Sequence, residues 1–326
     1  MPNNNITLAD AAALLMGAER LLILTHERPD ADTLGSAFAL KYALECGSRR
    51  VEVVCADRII EKYLFITGGR ETLVEPDGYD PDVICAVDVA SLNMLGALAD
   101  VYADRVDLKI DHHGTGGDYA KYNYTEADSA ACGEIVFGML RDAGRMNLRA
   151  AEAVYAAVAS DTGCFKFANT TQRTHRVAAE VMDMGVDIRR INHVLFESRS
   201  QGEIWAMRAA LDGIHFYADG RIALISFTNE AKARLGFTDD DISPLHGLPR
   251  EIKGVELGVT IRQRDASDDE YKVSLRSGGD IDCAALCSLF GGGGHRGAAG
   301  CTIYASSVSE AEKTIVDAII KEAFSQ

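Results

Sequence analysis

No apolar run in this 326-residue chain approaches the roughly 18 residues that a membrane span needs. The stretch from Ala11 to Thr25 comes nearest, but Glu19 and Arg20 interrupt it and no basic segment precedes it, so neither a span nor a signal peptide is expected. Cys-x-x-Cys is missing as well. The 8 cysteines, at 46, 55, 85, 132, 164, 283, 287 and 301, are scattered, which argues against a zinc ribbon or a disulfide framework and fits reduced, mostly buried thiols in a cytoplasmic protein. Positive charge is scarce: 33 Lys and Arg stand against 49 Asp and Glu, a net charge of -16. A long nucleic acid is gripped by clustered cations, so any polyanion bound here must be short. Most of the carboxylates simply keep the surface solvated.

What is present suggests two domains of ordinary size, since 47% of the residues are hydrophobic, enough for two cores. The first half alternates strand-like runs (Leu21–Leu24, Val51–Val54, Val83–Val87, about Val106–Ile110) with helical patterns at Thr33 to about Glu45, about Ala130–Arg141 and Arg149–Ser160. Such alternation predicts an α/β fold with a parallel sheet covered by helices. Residues 1–190 are read as this domain and 191–212 as a helical linker. Residues 213–326 are read as a smaller α/β domain, with a hairpin turn at Asp219-Gly220 and a last helix over about Ser309–Ala323.

Acidic and histidine side chains recur where these strands should end: His26, Asp30 and Asp32; Asp88; Asp111-His112-His113; and Asp161. Singly, His26 or Asp161 is more often a helix cap or a surface residue. Four clusters in this order point instead to a binuclear metal centre for phosphoester hydrolysis, because two close divalent cations generate hydroxide at neutral pH and hold both oxygens of an in-line displacement. His26 and Asp30 can serve one ion, Asp88 is placed to bridge, and His112 and Asp161 complete the second, with Asp32 pointing away from the first. Mixed imidazole and carboxylate donors favour manganese over an all-oxygen magnesium cage, with zinc, cobalt and iron open. Pro29 and Gly35 fit a tight loop into a helix that Thr33 can cap. His113, facing the other way if its strand continues, is expected as phosphate contact or general acid; the alternative is a buried structural histidine. The run Gly291-Gly292-Gly293-Gly294-His295 follows a helix and returns to small residues, which suits close approach of a ligand to the main chain better than a flexible linker. Asp30, Asp32, Asp88 and Asp161 would cancel two dications, leaving substrate charge to Arg276, Arg262, His295 and His113.

The segments His26-x-x-Pro29-Asp30-x-Asp32-x-x-Gly35-Ser36, Val87-Asp88, Asp111-His112-His113 and Ser160-Asp161-Thr162-Gly163 resemble the four motifs of the DHH phosphoesterase superfamily. Arg276 within Val273–Ser277, and Gly292-Gly293-Gly294-His295 followed by Ala298-Ala299-Gly300, are similar to the DHH-associated, substrate-binding domain of its RecJ and NrnA branch. The resemblance covers almost the whole chain without a departure in the ligand pattern. It implies that His26, Asp30 and Asp88 hold one manganese ion and that Asp32, Asp88, His112 and Asp161 hold the other. It further implies that His113 sits over the scissile phosphate while Asp111 orients the histidines, and that Arg276, His295 and the backbone of Gly292, Gly293 and Gly294 hold the nucleotide, with Arg262 a weaker candidate.

The activity so implied is hydrolysis of short oligoribonucleotides such as pApA, and of 3′-phosphoadenosine 5′-phosphate, to 5′-mononucleotides. A cyclic di-AMP phosphodiesterase and a RecJ-like single-strand exonuclease are the alternatives within the family, and a nucleotide-sensing binding protein is the alternative outside catalysis. The relatives that act on long DNA add further domains for which this chain has neither length nor basic surface. Homodimerisation is left open.

Overall fold

The structure is a computed structural model that describes residues 4–114, 116–265, 267–278 and 280–324. It divides into two compact units, Met1–Ser198 and Arg199–Gln326. In the first, β1 (Arg20–Leu24), β2 (Arg50–Val54), β3 (Val83–Val87), β4 (Leu108–Asp111) and β5 (Tyr122–Thr125) form one sheet of order β2-β1-β3-β4-β5, every neighbouring pair parallel. Val83–Val87 is buried at all five positions, as expected of a central parallel strand covered on both faces. The edge strand β5 escapes the sequence pattern because Tyr-Asn-Tyr-Thr carries strand propensity without an apolar run.

Leu21 and Ile23 point to one face, where α1 (Leu8–Gly17), α2 (Ala31–Leu44), α3 (Cys132–Asp142), α4 (Leu148–Asp161) and α5 (Gln172–Asp183) share the larger core. Leu22 and Leu24 point to the other and pack with Ile84, Leu95, Tyr102 and Val106. Helix α2 is buried along its length apart from Tyr42. Its close fit to α4 needs small residues: a Cβ on Gly35 would lie 2.5 Å from the Ala153 carbonyl oxygen and 2.9 Å from Ala157 Cβ. The start of α2 corrects one expectation, since its cap is Asp30, whose Oδ1 accepts from the Asp32 and Thr33 N–H groups at 2.9 and 3.0 Å. Thr33 sits inside the first turn, and its hydroxyl donates instead to the Val87 carbonyl at 2.9 Å.

Because β1 lies between β2 and β3, the chain leaves β1 in one direction and returns on its other side. The carboxyl ends of β1 and β3 therefore flank a crevice of the kind in which open α/β sheets place their ligands.

The second unit holds a six-stranded sheet of order β10-β11-β9-β8-β7-β6, built from β6 (His215–Tyr217), β7 (Ile222–Phe227), β8 (Leu257–Gln263), β9 (Glu270–Ser277), β10 (Gly293–His295) and β11 (Ala298–Tyr304). Only β7 and β8 run parallel. Alternation along β8 and β9 sends Val259, Ile261, Val273 and Leu275 against α7 (Cys283–Ser288) and α8 (Val308–Ile319). Ile225 and Phe227 pack under α6 (Gln201–Asp212) through Ala206 and Ala210. The segment 191–212 thus splits: Ile191 and Leu195 are buried in the first unit's core, and a new helix starts at Ser200 with a reciprocal cap to Glu203. No helix among the described residues is long and apolar enough to cross a membrane.

Candidate metal centre

Loops at the carboxyl ends of β1, β3 and β4, together with the last turn of α4, bring His26, Asp30, Asp32, Asp88, His112, His113 and Asp161 together. Three groups of potential ligand atoms lie within 4.8 Å of one another: His26 with Asp30 and Asp88, Asp32 with His112 and Asp161, and Asp88 with His112 and His113. Asp88 belongs to two of them.

Several of these side chains are held by partners that fix their direction. His26 Nδ1 donates to the Glu27 carbonyl at 2.7 Å, so Nε2 faces Asp30 Oδ1 and Asp88 Oδ2, both at 3.7 Å. His112 repeats the device: Nδ1 donates to the Ser129 carbonyl at 3.2 Å, and Nε2 faces Asp161, Asp88 and Asp32 at 3.4, 3.5 and 3.7 Å. A backbone acceptor on one ring nitrogen sets the tautomer and leaves the other lone pair for a cation. Asp32 is fully buried and accepts the Cys132 and Gly133 N–H groups at 2.7 and 2.9 Å. It thereby caps α3, whose own leading residue Ala131 provides no side-chain cap. A carboxylate suits that end of a helix through both the unsatisfied donors and the dipole.

Asp88 sits in the left-handed region, φ 62°, a conformation that costs on the order of 1–3 kcal/mol outside glycine and concentrates at working sites. Its Oδ1 is buried and has no hydrogen-bond partner. Asp111, fully buried, accepts the backbone N–H groups of His112 and His113 at 2.9 and 3.2 Å and the ring Nδ1–H of His113 at 2.7 Å. Here the sequence expectation needs correcting. Strand β4 ends at Asp111, so alternation no longer applies beyond it, and His113 turns back toward the cluster with Nδ1 3.6 Å from Asp88.

The electrostatics show why the cluster suits a cation. Burial, then Asp32, push the Asp88 carboxyl well above its ordinary range; burial, with Asp32 and Asp30, raises Asp161 to about 9. Burial works against a charge on His26, yet Asp30 and Asp88 outweigh it and raise the imidazole to about 11. Without a cation, protons have to neutralise these acids. Separations of 3.4–3.7 Å are too long for hydrogen bonds, but match the roughly 3–3.6 Å between donors that each lie about 2.1 Å from one ion. Imidazole Nε2 atoms, carboxylates and the orphaned Asp88 oxygen therefore fit divalent metal ions.

Family models agree with this architecture. The model for the DHH family, N-terminal domain, matches residues 20–159, and that for the DHHA1 domain matches residues 224–322. The chain belongs to the DHH family. It joins that N-terminal domain to a DHHA1 domain. A bifunctional oligoribonuclease and PAP phosphatase NrnA from Thermus thermophilus is 28% identical over 316 residues, 93% of this chain and 90% of that protein. An exopolyphosphatase-related protein from Bacteroides fragilis superposes with a TM-score of 0.88 at 25% identity, covering 96% of each chain. An exonuclease RecJ bound to manganese shares the fold at a TM-score of 0.53 and 13% identity, covering 97% of this DHH chain and 94% of that one.

The DHHA1 domain places its expected residues less simply. Arg276 on β9 is partly buried, donates to the Leu275 carbonyl at 2.9 Å, and has no carboxylate partner among the described residues. Arg262 is already held by Asp239 at 2.8 Å. The side chain of His295 lies outside the described residues. The glycine run is a hairpin, with Gly293–His295 paired antiparallel to Ala298–Gly300. A Cβ on Gly292 would lie 2.2 Å from the Gly300 carbonyl oxygen, and one on Gly294 (φ 143°) would lie 2.6 Å from Ala299 Cα and 2.7 Å from the Ala298 carbonyl oxygen. Those two glycines are required by the chain's own packing, whereas Gly291 and Gly293 face open space.

Sequence reasoning missed several groups. His246 has a buried Nδ1 without a partner, and burial, then Arg276 and Arg262, lower its imidazole to about 4. Lys109 lies 3.8 Å from Asp111, and its visible signal was a lysine between Leu108 and Ile110, in a strand that proves buried at all four positions, Lys109 included.

Proposed function

We propose that this DHH protein is a manganese-dependent phosphoesterase that hydrolyses short oligoribonucleotides, pApA among them, and 3′-phosphoadenosine 5′-phosphate, releasing 5′-mononucleotides in the cytoplasm. The observation that carries the reading is the arrangement of His26 and Asp30 on one side of Asp88 and of His112, with Asp32 and Asp161, on the other: Asp88 Oδ2 faces His26, and Oδ1, without a hydrogen bond among the described residues, faces His112. His26, Asp30 and Asp88 would hold one ion, and Asp32, Asp88, His112 and Asp161 a second. When bound, the ions supply a nucleophilic water at neutral pH and neutralise charge on the phosphoryl oxygens.

The remaining work falls to the chain's own groups. Asp111, by its hydrogen bond and charge, raises the His113 imidazole, so that a partly exposed, protonated ring stands ready to give its Nε2 proton to the departing ribose 3′-oxygen. Asp111 keeps that ring in place. Arg276, lacking an internal carboxylate, is the group to receive a substrate phosphate; Arg262, bound to Asp239, is secondary. His295 and the main chain at Gly292, Gly293 and Gly294 are assigned to the same nucleotide. In pApA and in 3′-phosphoadenosine 5′-phosphate the phosphorus to be attacked hangs on a ribose 3′-oxygen, so one leaving group serves both substrates. The described activities of the Thermus relative support this choice.

The test is turnover by purified protein with Mn²⁺ on pApA, 3′-phosphoadenosine 5′-phosphate, cyclic di-AMP and a ladder of longer RNA at fixed salt, with end-group analysis. Fastest release of 5′-phosphorylated products from the shortest substrates is expected. Rates that climb with length would place the chain with RecJ-like exonucleases, and tight nucleotide binding without turnover would make it a sensor. Activity confined to inorganic pyrophosphate would overturn the nucleotide reading.

A further inference from the structure

We infer that Asn169 is a positioning residue that ties Asp161 to the segment orienting Asp32 and His112, and thereby sets the affinity of one of the two metal positions without affecting the other. The inference rests on the binuclear reading proposed above. Five consecutive residues, 129–133, supply the orienting groups for two members of one ligand group. The Ser129 carbonyl accepts from His112 Nδ1 at 3.2 Å, and the Cys132 and Gly133 N–H groups hold Asp32 at 2.7 and 2.9 Å. The third member, Asp161, comes from the end of a different helix, α4. Nothing in that stretch reaches its side chain.

Asn169 closes the gap. Its Nδ2 donates to the Ala130 carbonyl at 3.0 Å and to the Asp161 carbonyl at 3.1 Å, so one amide, with one hydrogen for each acceptor, links the two segments. The loop that delivers it is built for the purpose. Gly163, Cys164 and Phe165 take φ values of 56, 58 and 64°, two of them at non-glycine residues where such a backbone is costly. The Lys166 and Phe167 N–H groups both return to the Thr162 carbonyl, at 2.9 and 3.0 Å. Asn169 itself is exposed, where an amide could have bonded to water, yet both hydrogens are directed to main-chain carbonyls. The other ligand group owes nothing to this strap: His26 is oriented by Glu27, Asp30 by the first turn of α2, and the Asp88 backbone by Ile110. Loss of Asn169 should therefore loosen Asp161 against Asp32 and His112 and leave His26 and Asp30 untouched.

The experiment is Mn²⁺ titration of the chelator-treated full chain by calorimetry and by electron paramagnetic resonance, with no substrate present. The parent should bind two ions and show a spin-coupled pair. In Asn169→Ala one site should weaken by about tenfold or more, the range for partners that orient metal ligands, while the other keeps its affinity. Isolated Mn²⁺ signal should then appear where the parent shows the pair. Asn169→Gln, which keeps the amide, should recover part of the loss. Asn169→Ser, too short to span both carbonyls, should behave like the alanine variant and replaces it if alanine does not fold. Equal weakening of both ions, unchanged binding, or loss of the fold in both variants would overturn the inference. A parent that binds one ion or none would sink the binuclear reading instead.

Discussion

Stripping the divalent ions should leave an N-terminal unit whose stability falls as pH rises from about 6.5 to about 8.5, and restoring Mn²⁺ should abolish that slope. The sign follows from two groups. Burial, reinforced by Asp32 and Asp30, raises Asp161 from 3.8 to about 9, so between those values the folded protein keeps a proton that the unfolded chain has released. His26 goes from 6.5 to about 11, burial being outweighed by Asp30 and Asp88, and it too holds an extra proton when folded over that interval. For both groups the stabilising contribution is complete below the unfolded value and is lost as pH climbs toward the folded one. Each contributes about 1.4 kcal/mol per pH unit, so two groups across about two units give an upper bound of about 5 kcal/mol. They share protons with Asp88 and Asp32, so roughly half of that, on the order of 2–3 kcal/mol, is expected. For a unit of this size that is on the order of 5–10 °C in the melting temperature.

Bound cations take the place of the protons and keep these ligands deprotonated throughout, which removes the linkage. The assay is calorimetry of the full chain in chelator and in excess Mn²⁺ at several pH values, following the transition assigned to the N-terminal unit by limited proteolysis. Asp161→Asn should lose about half the metal-free slope. A metal-free melting temperature that is flat or rises across the window would refute the reasoning, because it would mean that Asp161 at the end of α4 and His26 beyond β1 do not hold the extra protons.

Asp88→Ala removes the carboxylate that faces His26 with one oxygen and His112 with the other and should lower turnover by several orders of magnitude while circular dichroism shows a folded chain. His113→Gln should lower kcat by roughly 10²–10⁴-fold with little change in KM, whereas Arg276→Ala should raise KM by a larger factor than it lowers kcat; steady-state kinetics on pApA distinguish the two. Gly35→Ala forces a methyl group against the Ala153 carbonyl and Ala157 and should cost about 1–3 kcal/mol in urea unfolding.

The fold of the N-terminal unit was legible because buried parallel strands write themselves as apolar runs. Val83–Val87 coincides with its predicted bounds, and the strands about Leu22 and Val53 differ from theirs by one residue. Elements stabilised by other means were not legible. Strand β5 is polar at alternate positions and is fixed by its register with β4, and β11 looks like the tail of a glycine loop until its pairing with β9 is known. Helix α2 begins two residues before Thr33 because Asp30 caps it, and both Asp30 and Thr33 are residues that cap helices, so spacing alone could not choose between them.

The candidate metal ligands could be read for a related reason. A cation demands imidazole and carboxylate, so the ligands appear in the sequence as residue types at suggestive positions. What orients them does not. The acceptors on His26 and His112 are the carbonyls of Glu27 and Ser129, and the donors on Asp32 are the amides of Cys132 and Gly133, groups that every residue in a chain possesses. Asp32 shows the consequence most clearly: it was read as a ligand, but it also caps a helix that begins 100 residues later. Its removal would disturb the packing of α3 as well as the charge of the cluster, so an inactive Asp32 variant says less about catalysis than an inactive Asp161 variant does. The glycine run makes the same point from the opposite side. Glycine reports that something approaches the main chain closely, and only the pairing of β10 with β11 reveals that at Gly292 and Gly294 the thing approaching is the chain itself.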